Sequence, residues 1–298
     1  MEPDRSLSSL SYVRGGMTET LPDSNSMARK RTGNHRMLKS AGRKSVFITG
    51  AASGMGRATA LLFAQHGWFV GAFDVNQPGL DALEREIGAD NGHFGVLDVA
   101  NADAFSRAMS AFSGATGGKL DLLMNNAGIA VEGMFDEISW EDVMKVINVN
   151  LIGVMIGIRA GMPLLKATPG SLCLTTSSSS AIWGTGGIAV YSATKHAVRG
   201  LTEALSVEFQ RYGVRAADLL PGLIDTAILG DTMRAMAPEE GMWRLTPPSA
   251  VAEATWAAYH ENKLHWYVPA ELKDFDVEVT AFPERVRDER AQMFGFAQ

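Results

Sequence analysis

The stretch SVFITGAASGMGRATALLFAQ, residues 45–65, runs from five β-favouring residues through a glycine-punctuated turn into an amphipathic helical pattern. An unbroken apolar run such as Val46-Phe47-Ile48 suits a strand covered on both faces, the habit of a parallel sheet. Gly50, Gly54 and Gly56 fall where strand becomes helix. Glycine there permits a tight turn, close approach of a pyrophosphate and packing of helix on strand. A helix that starts at such a turn offers unpaired N–H groups to negative charge. Asp74 ends the next apolar run, WFVGAFD, eighteen residues past Gly56. A dinucleotide-binding fold needs a carboxylate at that place to hold the adenosine ribose hydroxyls. The same carboxylate repels a 2′-phosphate, and neither Ser53 nor Asn76 brings a compensating positive charge. NAD is therefore the expected cofactor and NADP the alternative, with Arg57 the residue that keeps it open.

Outward from this unit, short apolar runs alternate with longer amphipathic segments. After 45–49 and 68–74 the runs are HFGVLDV (93–99), LDLLMNNAG (120–128), SLCLTTS (171–177), VRAADLLPG (214–222) and HWYVPA (265–270). Helical patterns lie near 56–66, 102–113, 139–165, 191–212 and 248–261. The alternation predicts an α/β fold, a doubly wound, seven-stranded parallel sheet with helices on both faces. A single dinucleotide-binding catalytic domain over 44–298 is expected, with a lid over the substrate near 223–247. Residues 1–43 are polar, lack apolar periodicity and contain no apolar core of a signal peptide, so they read as a mobile tail.

Composition narrows the partners. With 46% hydrophobic and 20% charged residues and a net charge of −6, the chain has the make-up of a globular protein and no basic excess for nucleic acid or anionic lipid. The most apolar long stretch, VMKVINVNLIGVMIGIRAGMPLL (143–165), is interrupted by Lys145, Asn148, Asn150 and Arg159, which reads as a buried helix rather than a membrane span. The one cysteine, Cys173, excludes an intrachain disulfide and suits a reducing, cytoplasmic setting. The six histidines and the cysteine show no ligand spacing, so no metal is expected.

In YSATK (191–195) a phenol and an ammonium stand four positions apart, on one face if the segment is helical. The ordered set of motifs resembles the short-chain dehydrogenase/reductases, in their compact single-domain branch. TGAASGMG matches that family's glycine turn, Asp98-Val99 its adenine-contacting pair, NNAG (125–128) its fourth-strand signature, YSATK its YxxxK motif, and PGLIDT (221–226) its segment after the sixth strand. The resemblance spans roughly 44–270 and leaves the N-terminal extension outside.

The resemblance implies that Tyr191 is the general acid/base, Lys195 its electrostatic partner and ribose ligand, and Ser178 the hydroxyl that holds the substrate oxygen. Ser178 sits thirteen residues before Tyr191, but a neighbour in Ser177–Ser180 is an alternative. Asn150 in NVNLIG matches the helix asparagine of a water-linked proton path, with Asn148 the nearby alternative. The implied dinucleotide contacts are Gly50, Ser53, Gly54, Met55, Gly56, Asp74, Asp98 and Val99, together with Asn126, Ala127, Gly128, Tyr191, Lys195, Pro221, Gly222, Ile224 and Thr226. A phenol titrates near pH 10, and a base working near neutrality needs it lowered by about three units, which a lysine supplies only where water is excluded.

These readings predict an NAD-dependent oxidoreductase that interconverts a secondary alcohol and a ketone. Met233, Met236, Met242 and Trp243 in the lid region suit an apolar or cyclic substrate. A homodimer or homotetramer through the helices at 139–165 and 191–212 is expected. The competing readings are an NADP-dependent carbonyl reductase of the same family and a non-catalytic dinucleotide-binding sensor or scaffold.

Overall fold

The computed structural model describes residues 40, 42–293 and 295, so the expected tail lies almost wholly outside the described residues. Seven strands form one parallel sheet in the order β3-β2-β1-β4-β5-β6-β7. They are β1 (Ser45–Thr49), β2 (Phe69–Asp74), β3 (Gly92–Val96), β4 (Leu122–Asn125), β5 (Leu172–Thr176), β6 (Arg215–Pro221) and β7 (His265–Val268). The doubly wound architecture expected from the alternating pattern is the one observed. Strand order reverses between β1 and β4, which opens a crevice at the carboxyl ends of the central strands.

Alternate residues of each strand serve two separate cores, as the period of two requires. Val46, Ile48, Val70, Ala72, Leu122, Met124, Leu174 and Leu219 face one layer, made by α1 (Gly54–Gln65), α2 (Gln77–Ile87) and the helix Pro248–His260. Phe47, Phe69, Phe73, Leu123, Cys173 and Ala216 face the other, against α3 (Ala102–Thr116), the long segment from Trp140 to Lys166, and the helix Ala189–Glu208. Burial among these residues pushes the Cys173 thiol up to about 12, so it stays a protonated piece of core.

The expected helix over 139–165 is present but not regular. It consists of α4 (Trp140–Ile147), a π-helical turn (Asn148–Ile152) and α5 (Gly153–Lys166). The stretch is long and apolar enough to cross a membrane by length and composition, yet Val154, Ile158, Leu164 and Leu165 pack into the second core. Next come α6 (Ala189–Glu208), the short α7 (Asp231–Met236), α8 (Pro248–His260), α9 (Leu272–Ala281) and α10 (Pro283–Met293). The sequence reading had no helix at α2, α7, α9 or α10. In α2 the opening Gln77-Pro78-Gly79 hides the start, and only Leu80, Leu83 and Ile87 are buried. Its N-terminus is set by Asn76, whose side chain accepts from the Gly79 N–H at 3.1 Å. The packed body also reaches back before residue 44, since the Ser40 N–H donates to the Ala115 carbonyl at 3.2 Å.

At the amino-terminal rim of the sheet, aromatic rings and carboxylates bind the strand starts together. Trp68 meets Tyr259 edge-on at 4.7 Å and Phe63 at 4.8 Å, and the Lys44 ammonium lies 4.5 Å from the Tyr259 ring centre. Asp121 accepts from the Ser45 N–H at 2.9 Å and from the Tyr259 hydroxyl at 3.4 Å. The Arg215 guanidinium donates to the carbonyls of Ala258, Tyr259 and Glu261 at the end of α8.

Candidate active site

Helix α6 carries Tyr191 and Lys195 one turn apart, facing the end of β5. Lys195 is buried, its Nζ donates to the Thr176 carbonyl at 2.8 Å, and it lies 5.4 Å from the centre of the Tyr191 ring. Burial lowers the ammonium from its ordinary value to about 8. Tyr191, half-buried beside Val143, Val146 and Val190, lies beside the Ser178 side chain. Burial lifts the phenol above its ordinary value, and the neighbouring Ser178 side chain opposes this without overcoming it. Burial is the largest cause of the rise, as expected for a group whose charged form loses its water.

The four consecutive serines are sorted by their partners. After β5 the chain enters a 3-10 turn, Ser179–Ala181, with Ser178 at its start. The Ser178 hydroxyl oxygen accepts from the Ser180 N–H at 3.0 Å, while its neighbour Ser177 donates to the Lys195 carbonyl at 2.9 Å. Ser178 is the one that reaches the phenol. The two asparagines separate as clearly. Asn148 is exposed, whereas Asn150 is wholly buried in the π-helical turn. Asn150 clamps the backbone after β4, donating to the Ile129 carbonyl and accepting from the Ile129 N–H, both at 2.9 Å. A Cβ placed on Gly128 would lie 3.4 Å from Asn150 Oδ1 and 3.5 Å from Lys195 Nζ, so asparagine, glycine backbone and ammonium converge.

The glycine turn has the shape of a cradle. Gly50 and Gly54 have φ of +67° and +51°, backbone that L side chains rarely adopt. A Cβ on Gly56 would stand 2.2 Å from the Gly50 carbonyl oxygen. Ser53 precedes α1 with extended backbone, and Met55 opens its first turn, half-buried. Asn126 fastens the cradle to the next strand: its Nδ2 donates to the Thr49 carbonyl at 3.0 Å and its backbone N–H to Thr49 Oγ1 at 3.0 Å. The Ala127 N–H shares that hydroxyl at 3.0 Å. Asp74 accepts from the Ala52 N–H at 3.0 Å and the Asn76 N–H at 2.9 Å, which fixes its carboxylate at the rim of the turn.

The remaining expected contacts differ in kind. Asp98 is exposed and accepts from the Ala100 N–H at 2.9 Å, while Val99 is buried, where a Cβ on Gly153 would crowd it at 2.8 Å. Pro221 ends β6, and the Gly222 N–H donates to the Val268 carbonyl at 2.8 Å. Ile224 bridges Thr246, closing the neck of the 223–247 segment. Thr226 reaches the glycine turn, since a Cβ on Gly54 would meet its Cγ2 at 2.9 Å. These residues gather at the carboxyl ends of the parallel strands, and glycines without room for side chains beside a helix start fit a dinucleotide.

A family model described as short chain dehydrogenase matches residues 44–237. The chain is a short-chain dehydrogenase/reductase. Among its relatives, the 2,5-dichloro-2,5-cyclohexadiene-1,4-diol dehydrogenase of Sphingobium indicum is 37% identical over 228 residues, covering 74% of this chain and 90% of that one. The cyclohexanol dehydrogenase of an Acinetobacter species is 35% identical over 213 residues, covering 70% and 85%. Among solved structures, a short-chain dehydrogenase/reductase from Burkholderia phymatum in complex with NAD aligns with a TM-score of 0.70 and 28% identity, over 80% of this chain and 95% of that one.

This dehydrogenase/reductase also uses groups that the sequence did not flag. The Thr176 carbonyl, the Ile129 backbone and the Thr49 hydroxyl all hold site residues, but backbone partners leave no trace in residue types. Arg57, the residue that kept NADP open, is paired with Glu86 of α2, a helix the sequence reading lacked. Among the described residues no group of three or more His, Cys, Asp or Glu side chains could hold a metal.

Proposed function

We propose that this dehydrogenase/reductase is NAD-dependent and interconverts an apolar, cyclic secondary alcohol with its ketone, Tyr191 acting as the general acid/base. The observation that carries the reading is the Ser178 side chain set beside the Tyr191 phenol, with the buried Lys195 ammonium one turn away. A dinucleotide bound in the glycine cradle accepts or supplies the hydride. Ser178 orients the substrate oxygen, and Tyr191 hands its proton to that oxygen in the reducing direction or takes it in the oxidising one. Lys195 stabilises the phenolate that proton transfer leaves behind, in a pocket whose burial strengthens the attraction. Asn150 fixes the backbone at Ile129 and thereby the floor beside Lys195.

NAD is favoured because Asp74 sits where a 2′-phosphate would meet like charge, and because the nearby Arg57 is already engaged by Glu86. The relatives that act on ring alcohols support a cyclic substrate. So does the apolar cluster beyond Ser178, where Ile182, Trp183, Met242 and Trp243 pack with Leu220 and Phe275. The 223–247 segment serves as the lid, its neck closed by the Ile224–Thr246 bridge and α7 tied down by Arg234, which bonds Asp225 and the Thr226 carbonyl. Exposed Trp140, Met144, Ile152 and Met155 on the long helical segment suit burial in a dimer or tetramer. The test is a panel of cyclic and open-chain secondary alcohols, cyclohexanol included, with NAD and with NADP, followed by absorbance of the reduced nicotinamide. Turnover of ring alcohols with NAD is the expected result, and turnover confined to NADP, or none on any alcohol or ketone, refutes the reading.

A further inference from the structure

Arg199 stands one helical turn beyond Lys195, so one face of α6 carries Tyr191, Lys195 and Arg199 in succession. Its guanidinium touches three different parts of the molecule. Nη1 donates to the Ala181 carbonyl at 3.2 Å and to Asp276 Oδ1 at 3.1 Å, Nη2 donates to Asp276 Oδ2 at 2.7 Å, and Nε to Glu203 at 3.3 Å. The Arg199–Asp276 pair is two-pronged and both side chains keep only 18% exposure, so geometry rather than screening sets its strength. Asp276 accepts a further bond from the Tyr267 hydroxyl at 2.6 Å, which anchors it to β7.

The Ala181 carbonyl is the end of the turn that begins at Ser178. The Ala181 N–H donates to the Ser178 carbonyl at 2.9 Å, and the Ser180 N–H donates to the Ser178 hydroxyl at 3.0 Å. A shift of that carbonyl therefore moves the hydroxyl that meets Tyr191. Only a planar donor fork serves Asp276 with two N–H groups and still aims another at Ala181, which a lysine could not reproduce. Asp276 lies on α9, beyond residue 237 where the family match ends.

We infer that Arg199, held in plane by Asp276, is a positioning residue that fixes the Ala181 carbonyl and through it sets the Ser178 hydroxyl against the Tyr191 phenol. The C-terminal helix α9 is thereby coupled to proton transfer although it contributes nothing that touches the reacting atoms. The assignment rests on the dehydrogenase reading of Ser178 and Tyr191.

The test combines a double-mutant cycle with hydrogen–deuterium exchange on the full chain. Arg199→Met and Asp276→Asn are made alone and with Ser178→Ala. Turnover of cyclohexanol, or of the best alcohol found, is measured with NAD, and exchange is followed at the Ser180–Trp183 amides. Arg199→Met is expected to lower kcat about tenfold when Ser178 is present and less than about twofold when it is combined with Ser178→Ala, because the two act through one contact. NAD affinity should stay unchanged, and the turn amides should exchange about tenfold faster while those of α1 do not. Asp276→Asn, which keeps the packing, should give the same pattern at smaller size and guards against a folding failure of Arg199→Met. An equal loss of kcat with and without the Ser178→Ala change, or unchanged exchange of the turn, overturns the assignment. Where the unmodified protein oxidises no alcohol, the dehydrogenase reading fails, and the exchange measurement alone decides whether Arg199 holds the turn.

Discussion

Replacing Lys195 by Met should destroy activity and, in the dinucleotide-free protein at neutral pH, raise stability. Burial moves the ammonium from 10.5 to about 8. That difference corresponds to about 3 kcal/mol by which the folded state disfavours the charge. Methionine has similar length and no charge, so it relieves this penalty. It also leaves the Thr176 carbonyl, which now accepts from Nζ at 2.8 Å, without a partner, at a cost of about 1 to 2 kcal/mol. The net gain below pH 8 is about 1 to 2 kcal/mol, or roughly 2 to 6 °C in melting temperature for a body of this size.

The sign depends on pH in a defined window. Below about 8 the lysine is protonated both folded and unfolded, and wild type bears the full penalty. Between about 8 and 10.5 the folded form releases its proton while the unfolded form keeps it, so wild-type stability rises relative to the variant. Above 10.5 only the lost hydrogen bond remains, and wild type becomes the more stable of the two. Urea midpoints for both proteins at several pH values between neutrality and 10.5 measure this directly, since other titrating groups cancel in the difference. A variant no more stable than wild type at neutral pH, with a gap that does not change sign on the alkaline side, refutes the account of Lys195 as a desolvated cation.

Tyr191→Phe keeps the ring and removes the proton, so kcat should fall at least about a hundredfold with NAD binding nearly intact; wild-type turnover in the variant would sink the acid/base role. Because burial holds the phenol above its ordinary value, alcohol oxidation by wild type should quicken toward alkaline pH and ketone reduction should slow, a trend that paired pH–rate profiles would reveal. Asp74→Ala should weaken NAD and improve NADP, shifting the ratio of kcat/KM values by about a hundredfold before solvent screening reduces it. An unchanged ratio would mean that the carboxylate serves only its Ala52 and Asn76 amides.

The strands were readable because a two-sided sheet makes continuous apolar runs, and β1 is identical to the run SVFIT. The runs overshot where Leu97–Val99 and Asn126–Gly128 continue past the ends of β3 and β4 outside the strands. Helices α9 and α10 escaped notice because few of their residues are buried, Leu272 and Phe275 in one and Val286 in the other, so little apolar period reaches the sequence. At the site, Ser178 came from the family resemblance alone, while the one-turn spacing of Tyr191 and Lys195 was legible because helical periodicity carries it. The direction of the phenol shift was not, since it depends on how much water the surrounding chain excludes. The Arg199–Asp276 pair joins positions 77 residues apart, and no local pattern announces such a partner.

The aromatic and carboxylate cluster at the amino-terminal rim lies at the opposite end of the strands from the glycine cradle and Tyr191. The fold thus divides its labour along the strand axis, with cohesion concentrated at one end and chemistry at the other. Loops at the crevice can drift toward new substrates without loosening Trp68, Asp121 or Tyr259, and the far rim can be hardened without disturbing the crevice. Evolvability in such a molecule comes from distance: the length of the strands keeps the two ends apart.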